Sequence, residues 1–264
     1  MTQVIYGIHP VTEAIKSSHL EIEKILIGAQ KPHLSLQSII DVAAARKIPV
    51  TTTDRKTLDG LAKGGLHQNV VALARGIPYG EVRDLLACWK KEGGSAFFLI
   101  LDGIQDPQNF GALIRTALGC GVQGIIIPKD RAVGVTPLVI KASAGATAYL
   151  PIARVVNLAT TIEALKQEGI WVYGASGEAK EVIYDLDLNM DLAIVIGSEG
   201  KGIRPLVQKK CDRLFSIPMK GPISSFNASV SGAMVLYEVM RQRDRRQKNH
   251  HDQHPKTRHG ESRY

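Results

Sequence analysis

The sequence LDGIQDPQNFGALIRTALGCG, residues 101–121, gives the first indication of the fold. An apolar run from Phe97 to Leu101 ends in polar residues, and the chain then restarts with helical spacing, as where a strand passes into a helix. In α/β proteins, ligands bind beyond the carboxyl ends of such strands. Arg115 stands among Ala, Leu and Ile in this helix, and an arginine in apolar surroundings needs a partner or a function. We therefore expect a functional site where residues 102–109 leave the sheet.

The same alternation of strand and helix continues through the chain from Ala96. Near-continuous apolar strands separated by helices are typical of a mostly parallel sheet covered on both faces. The predicted strands are residues 97–101, 123–127, 170–174, 192–196 and 214–218. The predicted helices lie near residues 109–119, 136–144, 159–168, 203–210 and 228–243.

The composition shifts along the chain predict four segments. Residues 1–75 are expected to form a small α/β domain, with strands at 23–29 and 69–74 and helices at 35–47 and 54–65. Residues 76–95 have Gly and Pro at their start and Gly-Gly near their end, so they are predicted to be a linker that contains one amphipathic helix. Residues 96–243 form the large α/β domain, and residues 244–264 are expected to be a basic, disordered tail.

The charge balance favours a polyanionic partner. The formal net charge is +8, and residues 241–264 contribute +5 of it, from eight Lys/Arg and three Asp/Glu. The three cysteines are widely spaced, which predicts a reducing, cytoplasmic location rather than a disulfide framework. The first residues have neither the basic segment nor the apolar segment of a secretion signal, and no apolar run has membrane-spanning length. We therefore expect a soluble protein with no membrane partner.

Three segments rich in glycine and polar residues follow predicted strands: DGIQDPQNFGALIR, GSEGKGIRP and MKGPISSFNASVSGA. Their coincidence at one sheet edge favours a binding site. Taken singly, each also has a structural explanation. Asn109 is consistent with a helix N-cap, Arg115 with a surface charge, and Glu199 with a solvated turn residue. Ser225 and Asn227 are equally consistent with capping the closing helix.

Common nucleotide and hydrolase motifs are absent from the sequence. GSEGKGI lacks the Gly-Lys-Ser/Thr ending of a Walker A loop, and no G-x-G-x-x-G follows the first strand of the large domain. No His/Cys cluster has metal-ligand spacing, so no metal is expected. Histidine is nearly missing from the large domain, and no Ser-His-Asp or Cys-His arrangement is indicated.

The three loop segments resemble the motifs of a known family. NFGALIRTA, IVIGSEGKGI and IPMKGPISSFNASVSGA are similar, in this order, to the three motifs of the SPOUT RNA methyltransferases of the TrmH (SpoU) branch. IYGIHPVTEAI (5–15) and HQNVVALA (67–74) resemble the L30e-like substrate-binding domain of the 23S rRNA guanosine 2′-O-methyltransferase group. The resemblance implies S-adenosyl-L-methionine as methyl donor, a ribose 2′-hydroxyl as acceptor and a large domain with a deep trefoil knot. Knots are rare exceptions to chain connectivity, so periodicity alone would not have suggested one.

The resemblance also assigns roles to individual residues. It implies catalytic positions at Asn109, Arg115, Glu199, Ser225 and Asn227. It implies cofactor-binding positions at Gly197, Ile217, Met219 and Phe226. Because an arginine stays protonated, we expect Arg115 to bind RNA phosphate and stabilise charge on O2′ rather than act as a base. Glu199 is expected to pair with Arg115 or orient it.

Two further expectations concern partners. The resemblance implies a homodimer through the closing helix, with active-site groups contributed across it; packing within the chain explains the apolar residues of that helix equally well. These residues are Val230, Met234, Val235, Tyr237 and Val239. The expected partner is RNA, most specifically 23S rRNA, and candidate contacts in the small domain are His9, His67 and Gln68. His9 is equally consistent with a structural turn.

Three other functions stay open at this point. Two are within the same class of enzyme: a tRNA 2′-O-methyltransferase, and an rRNA adenosine 2′-O-methyltransferase that confers antibiotic resistance. The third is a non-catalytic RNA-binding factor of ribosome assembly. The presence of Asn109, Arg115, Glu199 and Asn227 together disfavours a non-catalytic protein, because such a protein would be free to lose them.

Overall fold

A computed structural model of the chain describes residues 2–17, 20–29, 33–76, 79–223 and 225–253. These residues form two sheets. A four-stranded sheet has the order β1-β4-β2-β3, and a seven-stranded sheet has the order β7-β6-β5-β10-β8-β11-β9. The strands are β1 Thr2–Tyr6, β2 Ile22–Gly28, β3 Val50–Thr53, β4 Val70–Arg75, β5 Phe97–Asp102, β6 Gly124–Pro128, β7 Ile152–Val155, β8 Trp171–Ala175, β9 Glu181–Val182, β10 Leu192–Gly197 and β11 Arg213–Ser216.

Nine α-helices accompany the strands within the described residues. They are α1 Ile8–Lys16, α2 Leu34–Ala45, α3 Arg55–Ala62, α4 Val82–Glu92, α5 Pro107–Gly119, α6 Pro137–Ala142, α7 Leu158–Gln167, α8 Pro205–Lys210 and α9 Ala228–Gln253. No described helix is both long enough and apolar enough to cross a membrane.

The α/β class and the parallel sheet are confirmed. Every pairing within the seven-stranded sheet is parallel, and its central strands β5 and β10 are buried almost along their whole length. All five strands predicted for the large domain are present. The sequence analysis did not predict β7 and β9 in the large domain, nor β1, β3 and α1 in the small domain. The small sheet is mixed, because β4 pairs antiparallel with β1 and β2, whereas β2 and β3 are parallel.

The segment predicted as a linker, residues 76–95, packs as part of the large domain. Its helix α4 is present, and Leu85 is buried against the strand residue Gly124. Gly80 donates its N–H to Ile152 O at 3.0 Å. The segment is therefore attached to the β6–β7 side of the large sheet and does not lie free between two domains.

The helix that carries the first motif begins earlier than expected. Asp106 is the N-cap of α5, since its side chain accepts from the backbone N–H of Asn109 at 2.8 Å, and Pro107 occupies the first turn. Asn109 thus lies inside the helix, and its interpretation as the N-cap is wrong. Its side chain is consequently available for other contacts.

The closing helix α9 extends to Gln253, beyond its predicted end at residue 243. The first part of the segment predicted as a disordered tail is therefore helical, and residues 254–264 lie outside the described residues. The trefoil knot, the L30e likeness of the small domain and the domain boundaries stay predictions.

Candidate active site

The sheet order brings four loops to one edge. Strands β5, β10, β8 and β11 are neighbours and parallel, so the loops that follow them leave the sheet side by side. A cavity of about 510 Å³ lies among the loops after β8, β10 and β11. Its apolar wall includes Ile196, Ile203, Ile217 and Phe226. Polar residues such as Glu199 and Ser225 line it as well. A cavity of this mixed character at the carboxyl edge of a parallel sheet is typical of a ligand site.

The loop after β10 is a tight hairpin. Ser198 N–H donates to Gly202 O at 3.1 Å, and Gly202 N–H donates to Ser198 O at 2.9 Å. The stem of this hairpin packs directly on Gly197, where a Cβ atom would lie 2.1 Å from Gly202 C and 2.2 Å from Ile203 N. Position 197 therefore accepts only glycine without a shift of the loop. The predicted cofactor position Gly197 thus has a local structural reason.

An ion pair between a buried aspartate and a partly exposed arginine fixes the other end of this hairpin. Asp102, at the end of β5, has a fully buried side chain that accepts from Arg204 Nε at 2.6 Å and from Arg204 N at 2.8 Å. The pair joins the strand that leads into α5 to the segment that leads into α8. The sequence analysis did not predict a role for Asp102 or Arg204, although both lie within the predicted loop segments.

Three predicted polar residues form one hydrogen-bonded cluster. Asn109 Nδ2 donates to Glu199 Oε1 at 2.9 Å, and Asn227 Nδ2 donates both to Asn109 Oδ1 at 3.0 Å and to Glu199 Oε1. Asn227 Oδ1 also accepts from Ser229 N at 2.9 Å, so its predicted capping of the closing helix is also present. The cluster joins all three motif segments, which lie far apart in the chain.

Arg115 is not part of this cluster. Its side chain is exposed, and within the described residues it has no hydrogen bond or ion pair. Asn109 and Arg115 are six residues apart on α5, which separates them by roughly 9 Å along the helix axis and by about 120° around it. The expected pairing of Glu199 with Arg115 is not formed within the chain, where Glu199 accepts from Asn109 and Asn227.

All four predicted cofactor positions, Gly197, Ile217, Met219 and Phe226, line the cavity. Ser225, predicted as catalytic, lines it as well and is exposed. The sequence analysis did not predict the loop after β8, whose residues 175–178 also line the cavity. The sequence Gly174-Ala-Ser-Gly-Glu directly after an apolar strand was the available signal, since small residues there leave room for a ligand.

The cysteines do not supply a nucleophile near this cavity. Burial raises the pKa of the Cys211 thiol to about 12, and burial also raises the pKa of Cys120. A hydrogen bond to Glu92 raises the pKa of the exposed Cys88. All three thiols are therefore protonated at neutral pH. Among the described residues, no group of His, Cys, Asp or Glu has the arrangement of a metal site.

The three predicted RNA contacts of the small domain differ in exposure. His67 is buried; its Nδ1 accepts from Asn69 N at 3.1 Å, and its Nε2 lies 2.9 Å from Asp59 Oδ1. Because Nδ1 accepts, Nε2 carries the proton and donates to Asp59, so both ring nitrogens are occupied within the domain. His9 and Gln68 are exposed, and Gln68 Oε1 accepts from Ile8 N at 3.0 Å, which places the two residues at one edge of the domain.

Comparisons with known proteins cover nearly the whole chain. The model of the SpoU rRNA Methylase family matches residues 96–237, and the model of the RNA 2′-O ribose methyltransferase substrate-binding domain matches residues 4–80. A TrmH-family tRNA/rRNA methyltransferase of Bacillus subtilis, YacO, is 43% identical over 240 residues, 91% of this chain and 96% of that protein. The 23S rRNA (guanosine-2′-O-)-methyltransferase RlmB of Coxiella burnetii is 42% identical over 240 residues with the same coverage.

Solved structures share the fold. The SpoU methyltransferase AviRb of Streptomyces viridochromogenes, in complex with AdoMet, superposes with a TM-score of 0.77 at 23% identity, covering 92% of this chain and 91% of that chain. An AdoMet-bound rRNA methyltransferase of Sinorhizobium meliloti gives a TM-score of 0.75 at 21% identity, covering 91% and 87%. Both domains therefore fall within the likeness.

Proposed function

The chain belongs to the SpoU family of RNA 2′-O-methyltransferases, and from this we propose that it methylates the ribose 2′-hydroxyl of a guanosine in 23S rRNA. The observation that carries the proposal is the Asn109–Glu199–Asn227 cluster, which joins three distant loops beside one cavity. The relative named RlmB, 42% identical over nearly the whole chain, supports guanosine and 23S rRNA as the finer assignment.

The cavity fits S-adenosyl-L-methionine as methyl donor. Its apolar wall suits the adenine ring, and the position of Gly197, where a Cβ has no room, keeps the chain of the hairpin close to the cavity. When bound, this cofactor supplies an electrophilic methyl group on a sulfonium. Ile217 and Phe226 would hold the adenine between them, while the backbone around Met219 would read its edge. AviRb and the Sinorhizobium meliloti enzyme, which have this fold, carry AdoMet in their structures.

The polar cluster has a positioning role in this proposal. Glu199 Oε1 accepts from both asparagines, so the carboxylate is held in one place above the cavity mouth. The second carboxylate oxygen and Ser225 are then available to orient the acceptor ribose. Such preorganised groups lower the barrier by holding the 2′-hydroxyl in line with the methyl group.

Arg115 stabilises the negative charge that develops on the acceptor oxygen while that oxygen forms its bond to the methyl group and the bond from methyl to sulfur breaks. A guanidinium remains charged at neutral pH, so it suits charge stabilisation and phosphate binding better than proton abstraction. Within one chain Arg115 does not reach the polar cluster. We therefore assign it to the cavity of a second copy, in a homodimer.

Exposed apolar residues of α9 support the dimer. Val230, Met234 and Tyr237 are spaced so that they share one helix face, and they are 42%, 41% and 60% exposed. Val235 and Val239, the other members of the predicted apolar stripe, are buried within the chain. The stripe thus divides into an inner face that packs on the large sheet and an outer face that we assign to the second copy.

The small domain contributes RNA recognition. His9 and Gln68 lie exposed at one edge, where they suit contacts with an unpaired loop of a structured RNA. The buried His67 supports this edge from within and is assigned a structural role. A reducing cytoplasm, where rRNA is modified, agrees with the three free cysteines.

The name of the YacO relative covers both tRNA and rRNA, so the substrate is the point to test. Purified protein is incubated with labelled S-adenosyl-L-methionine and either unmodified 23S rRNA or unmodified tRNA, and the methylated nucleotide is mapped. We expect a 2′-O-methylguanosine in 23S rRNA. A methylated tRNA, or a methylated adenosine of rRNA, would replace the finer assignment, and no transfer to any RNA would indicate a non-catalytic binding protein.

A further inference from the structure

Residues 135–149, which we call the bridge, lie between the small domain and the helix that carries Arg115. The bridge contains α6 and a short 3₁₀ turn, Ala146–Ala148. Two of its buried residues, Ile140 and Ala148, belong to the hydrophobic core of the small domain, although they follow the large-domain strands β5 and β6 in the chain. The bridge is therefore shared by the two domains.

Hydrogen bonds attach both ends of the bridge to the small domain. They join Gln3 Nε2 to Val135 O at 2.9 Å, Ser17 Oγ to Ala148 O at 2.6 Å, and Tyr149 OH to Glu13 Oε2 at 2.7 Å. Gly145 has a φ of +89°, and a Cβ there would lie 2.7 Å from Glu13 Cβ. Contacts this close leave little room for the small domain to shift on the bridge.

Lys141, at the end of α6, connects the bridge to the edge of the small domain assigned to RNA. Its Nζ donates to Leu66 O at 2.7 Å and lies 5.1 Å above the centre of the Tyr6 ring. Leu66 directly precedes His67 and Gln68. Within loop 66–69, both ring nitrogens of His67 are hydrogen-bonded inside the small domain, and Gln68 and Asn69 have positive φ.

On its other side the bridge packs against α5 without space between the backbones. A Cβ at Gly111 would lie 2.4 Å from Ala142 Cβ and 2.9 Å from Val139 O. Arg115 follows Gly111 by four residues, about one helical turn. A continuous line of direct contacts therefore runs from loop 66–69 through Lys141 and α6 to the helix of Arg115.

We propose that Lys141 is a positioning residue, which through the bridge holds the RNA-contacting loop 66–69 at a fixed distance from Arg115. The proposal rests on the function proposed above. The enzyme then selects structured RNA in which the bases read by the small domain and the acceptor ribose are separated by that distance. Lys141 acts through the protein, since its ammonium group is already held between Leu66 O and the Tyr6 ring.

The kinetic test compares Lys141→Met with wild type on the methylated RNA. We expect kcat at saturating RNA to fall about tenfold, with the cofactor Kd by calorimetry unchanged. The dependence of RNA affinity on salt should also keep its slope, whereas loss of a lysine that binds phosphate lowers that slope by about one. Lys141→Arg retains a donor and should recover most of the rate. Lys24→Met, which removes an exposed lysine of β2, is the matched control.

The structural test does not depend on catalysis. Spin labels are placed on the exposed Cys88 of α4 and on an introduced cysteine in α2, Ser38→Cys, in a Cys120→Ser, Cys211→Ala background. Labelled protein is diluted into an excess of unlabelled protein, so that the labels of a homodimer belong to one copy. Pulsed electron resonance should then give one narrow distance for the parent protein and a broadened distribution for Lys141→Met. Tyr149→Phe, which removes the bond to Glu13 at the opposite end of the bridge, should broaden the distribution as well.

The outcomes separate the two proposals. Reduced kcat together with a broadened distance supports positioning. A shallower salt slope with unchanged kcat would assign Lys141 to direct RNA binding and overturn the inference, and so would an unbroadened distance in both variants. If Lys141→Met does not fold, Tyr149→Phe decides by the same measurements. A wild-type protein that transfers no methyl group would refute the proposed function, while the distance measurement would still decide whether the bridge fixes the two domains.

Discussion

The two sides of the proposed active site differ in how completely one chain builds them. Beside the cofactor cavity, Asn109, Glu199 and Asn227 hydrogen-bond to one another, and the loop between β10 and α8 is held by backbone bonds and by the ion pair of the buried Asp102. On the side assigned to the acceptor RNA, Arg115 and His9 are exposed. The difference agrees with the proposal that the donor site is preorganised within one chain, whereas RNA and a second copy complete the acceptor site.

Loss of Arg115 should have the largest effect, and it should affect only the acceptor side. We expect Arg115→Ala to lower kcat by about 100- to 1,000-fold, as removal of a group that stabilises a developing oxyanion does. The cofactor Kd, measured by calorimetry, should stay within about twofold of wild type, because Arg115 is assigned to the acceptor ribose and phosphate and not to the cofactor. Arg83→Ala, which removes an exposed arginine of α4, is the control. Parallel losses of cofactor affinity and rate would contradict the separation of the two sides.

Gly197→Ala should weaken cofactor binding and leave RNA binding unchanged. The added methyl group meets the backbone of Gly202 and Ile203, so the hairpin has to move away from the cavity. Overpacking of this kind costs about 1–3 kcal/mol, which corresponds to a roughly 5- to 150-fold weaker cofactor Kd if the strain is expressed in the loop. RNA affinity should be unchanged in a filter-binding assay.

The control for this substitution is Gly119→Ala, at the end of α5, where nothing lies within 4 Å of the added Cβ. That variant should bind cofactor like wild type. If Gly197→Ala also retained its cofactor affinity, the cavity would not be the donor site.

Asp102→Asn should have a smaller effect on the same side. The substitution keeps an acceptor near Arg204 N but removes the charge that faces the guanidinium. Since the Arg204 side chain is 42% exposed, the loss of unfolding free energy should be about 2 kcal/mol, less than for a fully buried pair. Denaturant unfolding measures this, and the cofactor Kd should weaken about tenfold because the hairpin is less well held.

Asp106→Asn is the matched control for Asp102→Asn. Both aspartates lie in the segment between β5 and α5, but Asp106 is an exposed N-cap, and asparagine caps helices about as well. A loss as large in Asp106→Asn as in Asp102→Asn would show that the segment, and not the ion pair, sets the effect.

The cofactor side was predictable from the sequence because its features are local and periodic. Apolar strands that alternate with helices indicate a parallel sheet, and a parallel sheet places the loops after its strands at one edge. This reasoning predicted that the three loop segments lie at one edge, and the family resemblance then implied the roles of Gly197, Glu199 and Asn227 within them. It missed the loop after β8, because Gly174-Ala-Ser-Gly is composed like an ordinary turn. Strand β9 has only two residues and leaves no detectable pattern.

Contacts between distant segments could not be predicted in the same way. The partner of Glu199 depends on where α5 begins, and that depends on Asp106 rather than Asn109 serving as N-cap. The packing of the bridge on the small domain joins residues more than 100 positions apart, such as Ser17 and Ala148, and neither sequence has a distinctive pattern. The segment that contains α4 was predicted to be a linker because glycines lie at both of its ends. In the structure, Leu85 of this segment contacts the strand residue Gly124.

The smallest predicted effect concerns the contact between the two domains and is best seen through pH. Tyr149→Phe should lower the unfolding free energy near pH 7 by under about 1 kcal/mol, as expected for one partly exposed hydrogen bond. Burial and the bond to Glu13 raise the pKa of Tyr149 to about 12, and the same bond lowers the pKa of Glu13 below its usual 4.5. The difference in unfolding free energy between wild type and Tyr149→Phe should therefore be largest between these two pKa values. Urea unfolding at several pH values measures it.

The contribution of this hydrogen bond to stability should be lost at high pH through Tyr149 and at low pH through Glu13. This pH dependence distinguishes the hydrogen bond from packing of the ring. Because the raised pKa of Tyr149 favours the protonated phenol, its contribution is present below pH 10 and is lost as the pH rises from 10 towards 12. Because the lowered pKa of Glu13 favours the carboxylate, its contribution is present above pH 4.5 and is lost as the pH falls through the lowered value. Tyr184→Phe, at an exposed tyrosine of the large domain, should show neither limit. A pH-independent difference between wild type and Tyr149→Phe would mean that the ring, and not its hydroxyl group, joins the domains.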